Sequence, residues 1–280
     1  MLLGFAKEFH RIYNENNVPR SAAALTYYLT MTFFPLLICL YTLLGSSYDK
    51  AMEVLDFTRH LMAAETAAAI EDFLAYVAAN NNKAMMLAAL FVLLTSASAA
   101  ERSLHATIGE MQGKQRFRGL MGFAFSIVFS LILVAAIYLA TILMLSGGSF
   151  LQWLNGVLPI LHIGGSWRIL RFFLLAGIVN VIVWAIYKVS QRRDDRYPTH
   201  LGAVLATLAM VGVSIVFSGF ISASNRYPLV YGSLASVILL MLWLYTSCLV
   251  IYCGAAFNIA LRNRGSDVPE QRQPPDAEEK

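Results

Sequence analysis

The chain has 280 residues, of which 58% are hydrophobic and 14% charged, against about 25% charged in ordinary soluble domains. Its mean hydropathy is +0.60 and its net charge +4. So few charges cannot keep that much apolar surface dissolved. This excludes a soluble two-domain enzyme, a disordered chain and a disulfide scaffold, and leaves an integral membrane protein.

The chain opens on Leu2, Phe5, Phe9, Ile12 and Tyr13 at helical spacing, with Lys7, Glu8, His10 and Arg11 mostly opposite. That pattern predicts an amphipathic arm over residues 1–21 lying on the membrane surface, and no cleavable signal. A hydrocarbon core of about 30 Å needs about 20 apolar residues as helix. Six stretches meet this: 22–45, 84–100, 120–145, 169–187, 201–222 and 233–261. The expected fold is therefore all-α, a polytopic membrane domain of six transmembrane helices over residues 22–262.

The connection 46–83 is long and carries two apolar stripes. Val54, Leu55, Leu61 and Met62 form one, and Ile70, Phe73, Leu74 and Val77 the other. They predict two amphipathic helices in the first external loop, with a break at residues 80–82. Gly147, Gly148, Trp153 and Pro159 mark an interfacial segment before the fourth span. Residues 263–280 are polar, hold three prolines and read as a disordered tail. Of the 21 Lys and Arg, fifteen fall on the side of the two termini and six on the other. The positive-inside rule then places both termini in the cytoplasm.

No sequence pattern of an enzyme is present, neither GxSxG, HExxH, P-loop nor dinucleotide fingerprint. The protein is not expected to be an enzyme. The five histidines are scattered, and Cys39, Cys248 and Cys253 all fall within apolar stretches. No metal site, cofactor or disulfide framework is expected. Membrane lipids are the expected partners, a homo-oligomer is open, and nucleic acid is not expected.

Polar groups within the spans carry what functional signal there is. Span one holds Tyr27, Tyr28 and Thr30, with Pro35, which frees a backbone carbonyl and favours a kink. A second group, Ser222, Asn225, Arg226, Tyr231, Gly232 and Ser233, joins spans five and six through a short polar turn. These ten residues are the candidate substrate path or gate, with Arg226 a candidate anion contact. Glu101 and Arg102, at the expected inner end of span two, are a candidate cytoplasmic gate. Gly202, Trp243 and Asn258 are candidates for helix packing or capping. The middle of each expected span has no Asp, Glu, Lys, Arg or His, which weakens ion coupling.

Residues 22–35 read AAALTYYLTMTFFP and residues 231–245 read YGSLASVILLMLWLY. The first resembles the ALAYY…S-FP opening of the YihY/BrkB membrane family. The second resembles that family's YGSLxxVIxLxLWLY signature. Pro198, Gly202 and SGFIS at 218–222 resemble its fifth span, so the likeness covers about residues 5–263. The resemblance implies a six-span bacterial inner-membrane protein. The family was once labelled ribonuclease BN, a label regarded as mistaken, and its members carry a virulence association and proposals of lipid or ion transport. The family pattern Gly-Ala-Glu-x-Asn stands here as GAAFN at 254–258, with Ala256 in place of the acid. The function expected is translocation of a lipid or other amphipathic substrate. The alternatives are a cation/proton antiporter and a non-catalytic factor for envelope integrity or assembly.

Overall fold

The computed structural model describes residues 2–43, 48–58, 64–80, 82–113, 119–145, 167–191, 197–223 and 234–265. All secondary structure among them is helical. In chain order the helices are α1 (Leu2–Glu15), α2 (Val18–Leu43), α3 (Tyr48–Thr58), α4 (Ala64–Asn80), α5 (Lys83–Met111), α6 (Gly119–Leu145), α7 (Trp167–Ser190), α8 (His200–Ala223) and α9 (Leu234–Gly265). Helices α2, α5, α7, α8 and α9 are long and apolar enough to cross a membrane, and α6 adds a shorter apolar stretch, Ser126–Leu139, within its 27 residues. The chain is a polytopic all-α membrane protein.

Local chemistry sets the helix ends. Asn17 takes a left-handed conformation, φ 45°, which asparagine tolerates better than most residues. It stops α1, and Pro19 then sits in the first turn of α2, where a missing N–H costs nothing. At α5 the Asn82 side chain accepts a hydrogen bond from the Met85 amide at 2.8 Å, an N-cap. Gly113, with φ 76°, ends the same helix.

The observed helices overrun the expected spans, most of all α5. It continues eleven residues past the expected end at residue 100. Its 29 residues extend about 43 Å, well beyond a hydrocarbon core of about 30 Å. The polar residues after Ala100 do not end the helix, because they pack into the protein. Helix α2 passes through Pro35 without interruption.

The main core lies at the end of the bundle that holds the start of α2 and the close of α9. It joins Ile12 of α1, Val18, Ala22 and Leu25 of α2, Ala100, Leu104 and Ile108 of α5, Ile186 and Tyr187 of α7, Ala203 and Ala206 of α8, and Tyr252, Ala256 and Ile259 of α9. A second core forms where α3 and α4 cover the far end of α2. There Leu55, Ile70, Leu74 and Val77 are buried with Tyr41. Residues 61 and 62 of the expected first stripe lie outside the described residues.

Helix α1 is held to α9 by Phe5 against Phe257, ring centres 5.2 Å apart, and by Asn263 donating to Glu8 at 2.8 Å. Arg11 also donates to Glu8, at 2.6 Å. Burial alone would raise the Glu8 carboxyl. The hydrogen bonds from Asn263 and Arg11, with the charge of Arg11, outweigh it and hold the group below its ordinary value. A carboxyl lowered in the folded state adds stability above its unfolded value and loses it as pH falls through the folded one. The protection of the α1 amides, measured against the intrinsic exchange rate at each pH, should therefore fall on acidification below about pH 4, and Glu8→Gln should remove that step. An α1 equally protected at neutral and acid pH would show that Glu8 does not hold it.

Candidate functional site

Helices α8 and α9 approach closely because both present glycine at the crossing. A Cβ at Gly202 would overlap the Gly254 carbonyl oxygen and the Asn258 amide. A Cβ at Gly254 would meet the Tyr187 hydroxyl at 2.5 Å and the Gly202 carbonyl oxygen at 2.8 Å. Small residues are what allow helix backbones to meet inside a membrane. Asn258, 1% exposed, uses that approach. Its Oδ1 accepts from the Gly202 amide at 2.8 Å and its Nδ2 donates to the Thr199 carbonyl at 3.0 Å. The first turn of α8 is thus satisfied by a side chain from α9. Tyr187 of α7 ties in by donating to the Ile251 carbonyl at 2.6 Å. Further along, Trp243 donates to Ser214 at 3.3 Å, and Asn180 of α7 donates to Thr207 of α8 at 3.2 Å.

A polar seam runs between α2, α5 and α9. Thr32 donates to Ser96 at 3.0 Å, Thr26 lies beside Cys248, and the Tyr252 hydroxyl lies beside Thr107 and Ser103. Ser98, Ser247 and Tyr252 are buried, and their hydroxyl oxygens make no aligned hydrogen bond among the described residues. Most of the seam's threonines return their protons to their own helix, as Thr26 does to Ala22 at 2.7 Å and Thr30 to Thr26 at 2.8 Å.

On another face of α5, Glu101 and His105 stand one turn apart. Glu101 is 4% exposed, and its Oε1 lies 3.0 Å from His105 Nε2. His105 Nδ1 makes a short hydrogen bond with Ser190 of α7, and Ser190 donates to the Ile186 carbonyl at 2.8 Å. Phe129 of α6 packs edge-on to the imidazole, ring centres 5.9 Å apart.

The candidate residues divide accordingly. Tyr27 is 55% exposed and points out of the bundle, while Tyr28 is half-buried against the main core. The two rings meet edge to face at 5.5 Å. Pro35 is half-buried within α2. Ser222 falls in α8. Asn225, Arg226, Tyr231, Gly232 and Ser233 lie outside the described residues, so the second candidate group is not assembled here. Glu101 and Arg102 lie within α5 rather than at its end. Gly202 and Asn258 meet directly, and Trp243 joins α9 to α8. Ala256 is fully buried in the main core, in place of the acid that the resemblance implies. The residues not singled out from sequence are His105, Ser190, Asn180 and Ser98, whereas Ser247 and Tyr252 stand out there as polar points of the sixth span. For His105 a signal was present, since Glu and His four apart share one helix face. The serines gave none. The described cysteines are free, and no group of three or more His, Cys, Asp or Glu that could hold a metal occurs among the described residues.

A bundle of long apolar helices, joined by a few buried polar contacts and close glycine crossings, defines a multi-pass helical membrane protein. The chain belongs to the family described as Virulence factor BrkB, whose family model matches residues 9–280. It is 28% identical over 267 residues to a UPF0761 membrane protein of Teredinibacter turnerae, covering 92% of this chain and 60% of the relative. The chain therefore spans less than two thirds of that relative's length. It is 23% identical over 270 residues to the ribonuclease-like protein YfkH of Bacillus subtilis, covering 94% of this chain and 96% of the relative. A UPF0761 membrane protein of Actinobacillus pleuropneumoniae is 24% identical over 266 residues, covering 92% and 93%. No solved structure matches the chain.

Proposed function

We propose that this chain is a non-enzymatic transport protein that moves a lipidic or other amphipathic substrate across a bacterial inner membrane, with both termini in the cytoplasm. The observation that supports it is the seam between α2, α5 and α9. Apolar side chains would suffice to pack three helices in a bilayer. Ser98 and Ser247 instead bury hydroxyls without aligned partners among the described residues, each at a cost of about 1–3 kcal/mol, and the Tyr252 hydroxyl is buried beside Thr107 and Ser103. Such groups are matched to a second state in which a headgroup or water reaches them. The apolar outer faces of α5 and α8, with Phe91, Leu208 and Val216 all exposed, suit acyl chains beside such a path.

The test is reconstitution into vesicles with a fluorescent phospholipid that an impermeant reductant quenches only in the outer leaflet. The wild type should expose the inner-leaflet label. A variant combining Ser98→Ala, Ser247→Ala and Tyr252→Phe should fold and slow this at least tenfold. Equal rates in the two proteins, or no movement of any labelled lipid by the wild type, would overturn the proposal. The Glu101–His105 pair favours a second function, cation/proton exchange, which the same vesicles report through an enclosed pH dye when a sodium gradient is imposed.

A further inference from the structure

We infer that Glu101 and His105 form one proton-binding site inside the bundle, which holds a single shared proton and ties α5 to α7 while it does. Glu101 is 4% exposed, and neither of its carboxylate oxygens accepts a hydrogen bond among the described residues. A bare carboxylate in that position is costly unless its charge is neutralised. The group facing it at 3.0 Å is the His105 imidazole. Either the carboxyl keeps the proton and the ring is neutral, or the ring takes it and the two form an ion pair. Both arrangements place one proton on the pair, on Oε1 or on Nε2, and both are neutral overall; the two atoms face each other at 3.0 Å without an aligned hydrogen bond. Releasing that proton to water leaves a net negative charge on the pair, which favours movement of the helices or entry of a cation.

The hydrogen-bond count on the other side of the ring agrees. Ser190 has one hydroxyl proton and donates it to the Ile186 carbonyl at 2.8 Å. In its contact with His105 Nδ1 it is then the acceptor, so Nδ1 carries its own hydrogen. That leaves Nε2 as the position whose proton is exchangeable, and Nε2 is the atom that faces Glu101. The ring thereby joins two helices, α5 through Glu101 and α7 through Ser190, and a change at Nε2 is felt by both.

Among the described residues, no other charged group pairs with Glu101. Arg102 follows Glu101 directly on α5, and adjacent helix residues do not face each other. Glu110 lies on α5 five residues beyond His105 and is exposed. From α7, Lys188 is exposed and donates to Gln191 at 3.3 Å, and Tyr187 donates to Ile251. From α6 the contact is Phe129, which is uncharged. From α9, Tyr252 lies beside Thr107 and Ser103, and α2 brings Thr32 to Ser96. The segment after α7 holds Arg192, Arg193, Asp194, Asp195 and Arg196 and lies outside the described residues.

Such a site gives a transporter a way to spend a proton gradient, because loaded and empty forms favour different α5–α7 packing. The site stands on its own geometry, and only its use to drive translocation depends on the transport function proposed above. The full chain in lipid nanodiscs, with isotope-labelled histidine, tests the site. The infrared carboxyl band lost in Glu101→Gln and the ring signal lost in His105→Gln should titrate with one common midpoint. In His105→Gln the Glu101 band should shift its midpoint by at least one pH unit. Separate midpoints, or a Glu101 band indifferent to His105, would falsify the shared site. In vesicles carrying fluorescent phospholipid, an imposed pH gradient should speed movement by the wild type at least fivefold and leave Glu101→Gln unaffected. If the wild type moves lipid at the same rate with and without the gradient, coupling is refuted while the transport proposal stands. If the midpoints coincide and no lipid moves, the proton site stands and the lipid reading falls.

Discussion

Gly202→Val should separate α8 from α9 and cost about 3–5 kcal/mol, among the largest effects of any single substitution in the chain. Even the Cβ of alanine would overlap the Gly254 carbonyl oxygen and the Asn258 side chain. One of those is backbone and cannot rotate away. The other is held by two hydrogen bonds and cannot move without losing them. Relief therefore requires the two helices to part, which strips the contacts of Ala203 and Ala206 with the α9 face. Thermal unfolding in detergent measures the loss. Gly212→Ala and Gly177→Ala are the controls, since a Cβ at either position meets nothing within 4 Å. Alanine there should be neutral or stabilising by about 0.5–1 kcal/mol. A Gly202 variant as stable as these controls would refute the close crossing.

Asn258→Leu should cost about 2–4 kcal/mol while keeping the branching at Cγ. Leucine leaves both the Gly202 amide and the Thr199 carbonyl without the partners that Asn258 supplies. The position is 1% exposed, so water cannot take over. Asn258→Asp keeps an acceptor for Gly202 and sets a negative charge at the N-terminus of α8, which the helix dipole favours. It loses the donor to Thr199 and buries a charge, so its stability should fall between leucine and wild type. Hydrogen exchange across the first turn of α8 locates the effect. The Gly202 amide should exchange at least tenfold faster in Asn258→Leu, and an unchanged rate would mean that α8 caps itself.

These two residues show how the candidate site was only partly legible. Gly202 and Asn258 drew attention as small and polar positions inside apolar helices, but nothing local says that they meet across 56 residues. Glu101 looked interfacial because the apolar run ends at Ala100, and hydropathy alone places a helix end there. The helix instead continues to Met111, because Leu104, Ile108 and Met111 keep facing the core while the polar residues between them find partners in the protein. Tyr27 and Tyr28 were equivalent by composition. Their 100° separation on α2 sends one outward and the other toward the core.

What the sequence by itself determined is the class of the molecule: several apolar helices, an amphipathic arm at the start, and two further helices between the first two spans. These are local properties, written in runs of about 20 apolar residues and in stripes of 3.6-residue period. What only the tertiary structure decided is which polar groups share a buried place: Asn258 with Gly202, Thr32 with Ser96, and Glu101 with His105 and Ser190. The physical reason is that inside a bilayer the lipid-facing and protein-facing sides of a helix are both apolar. Periodicity then no longer marks the interface, and partner choice passes to close backbone approach and a few hydrogen bonds. The scarcity of charge that identified the class also leaves the buried carboxylate of Glu101 facing a histidine.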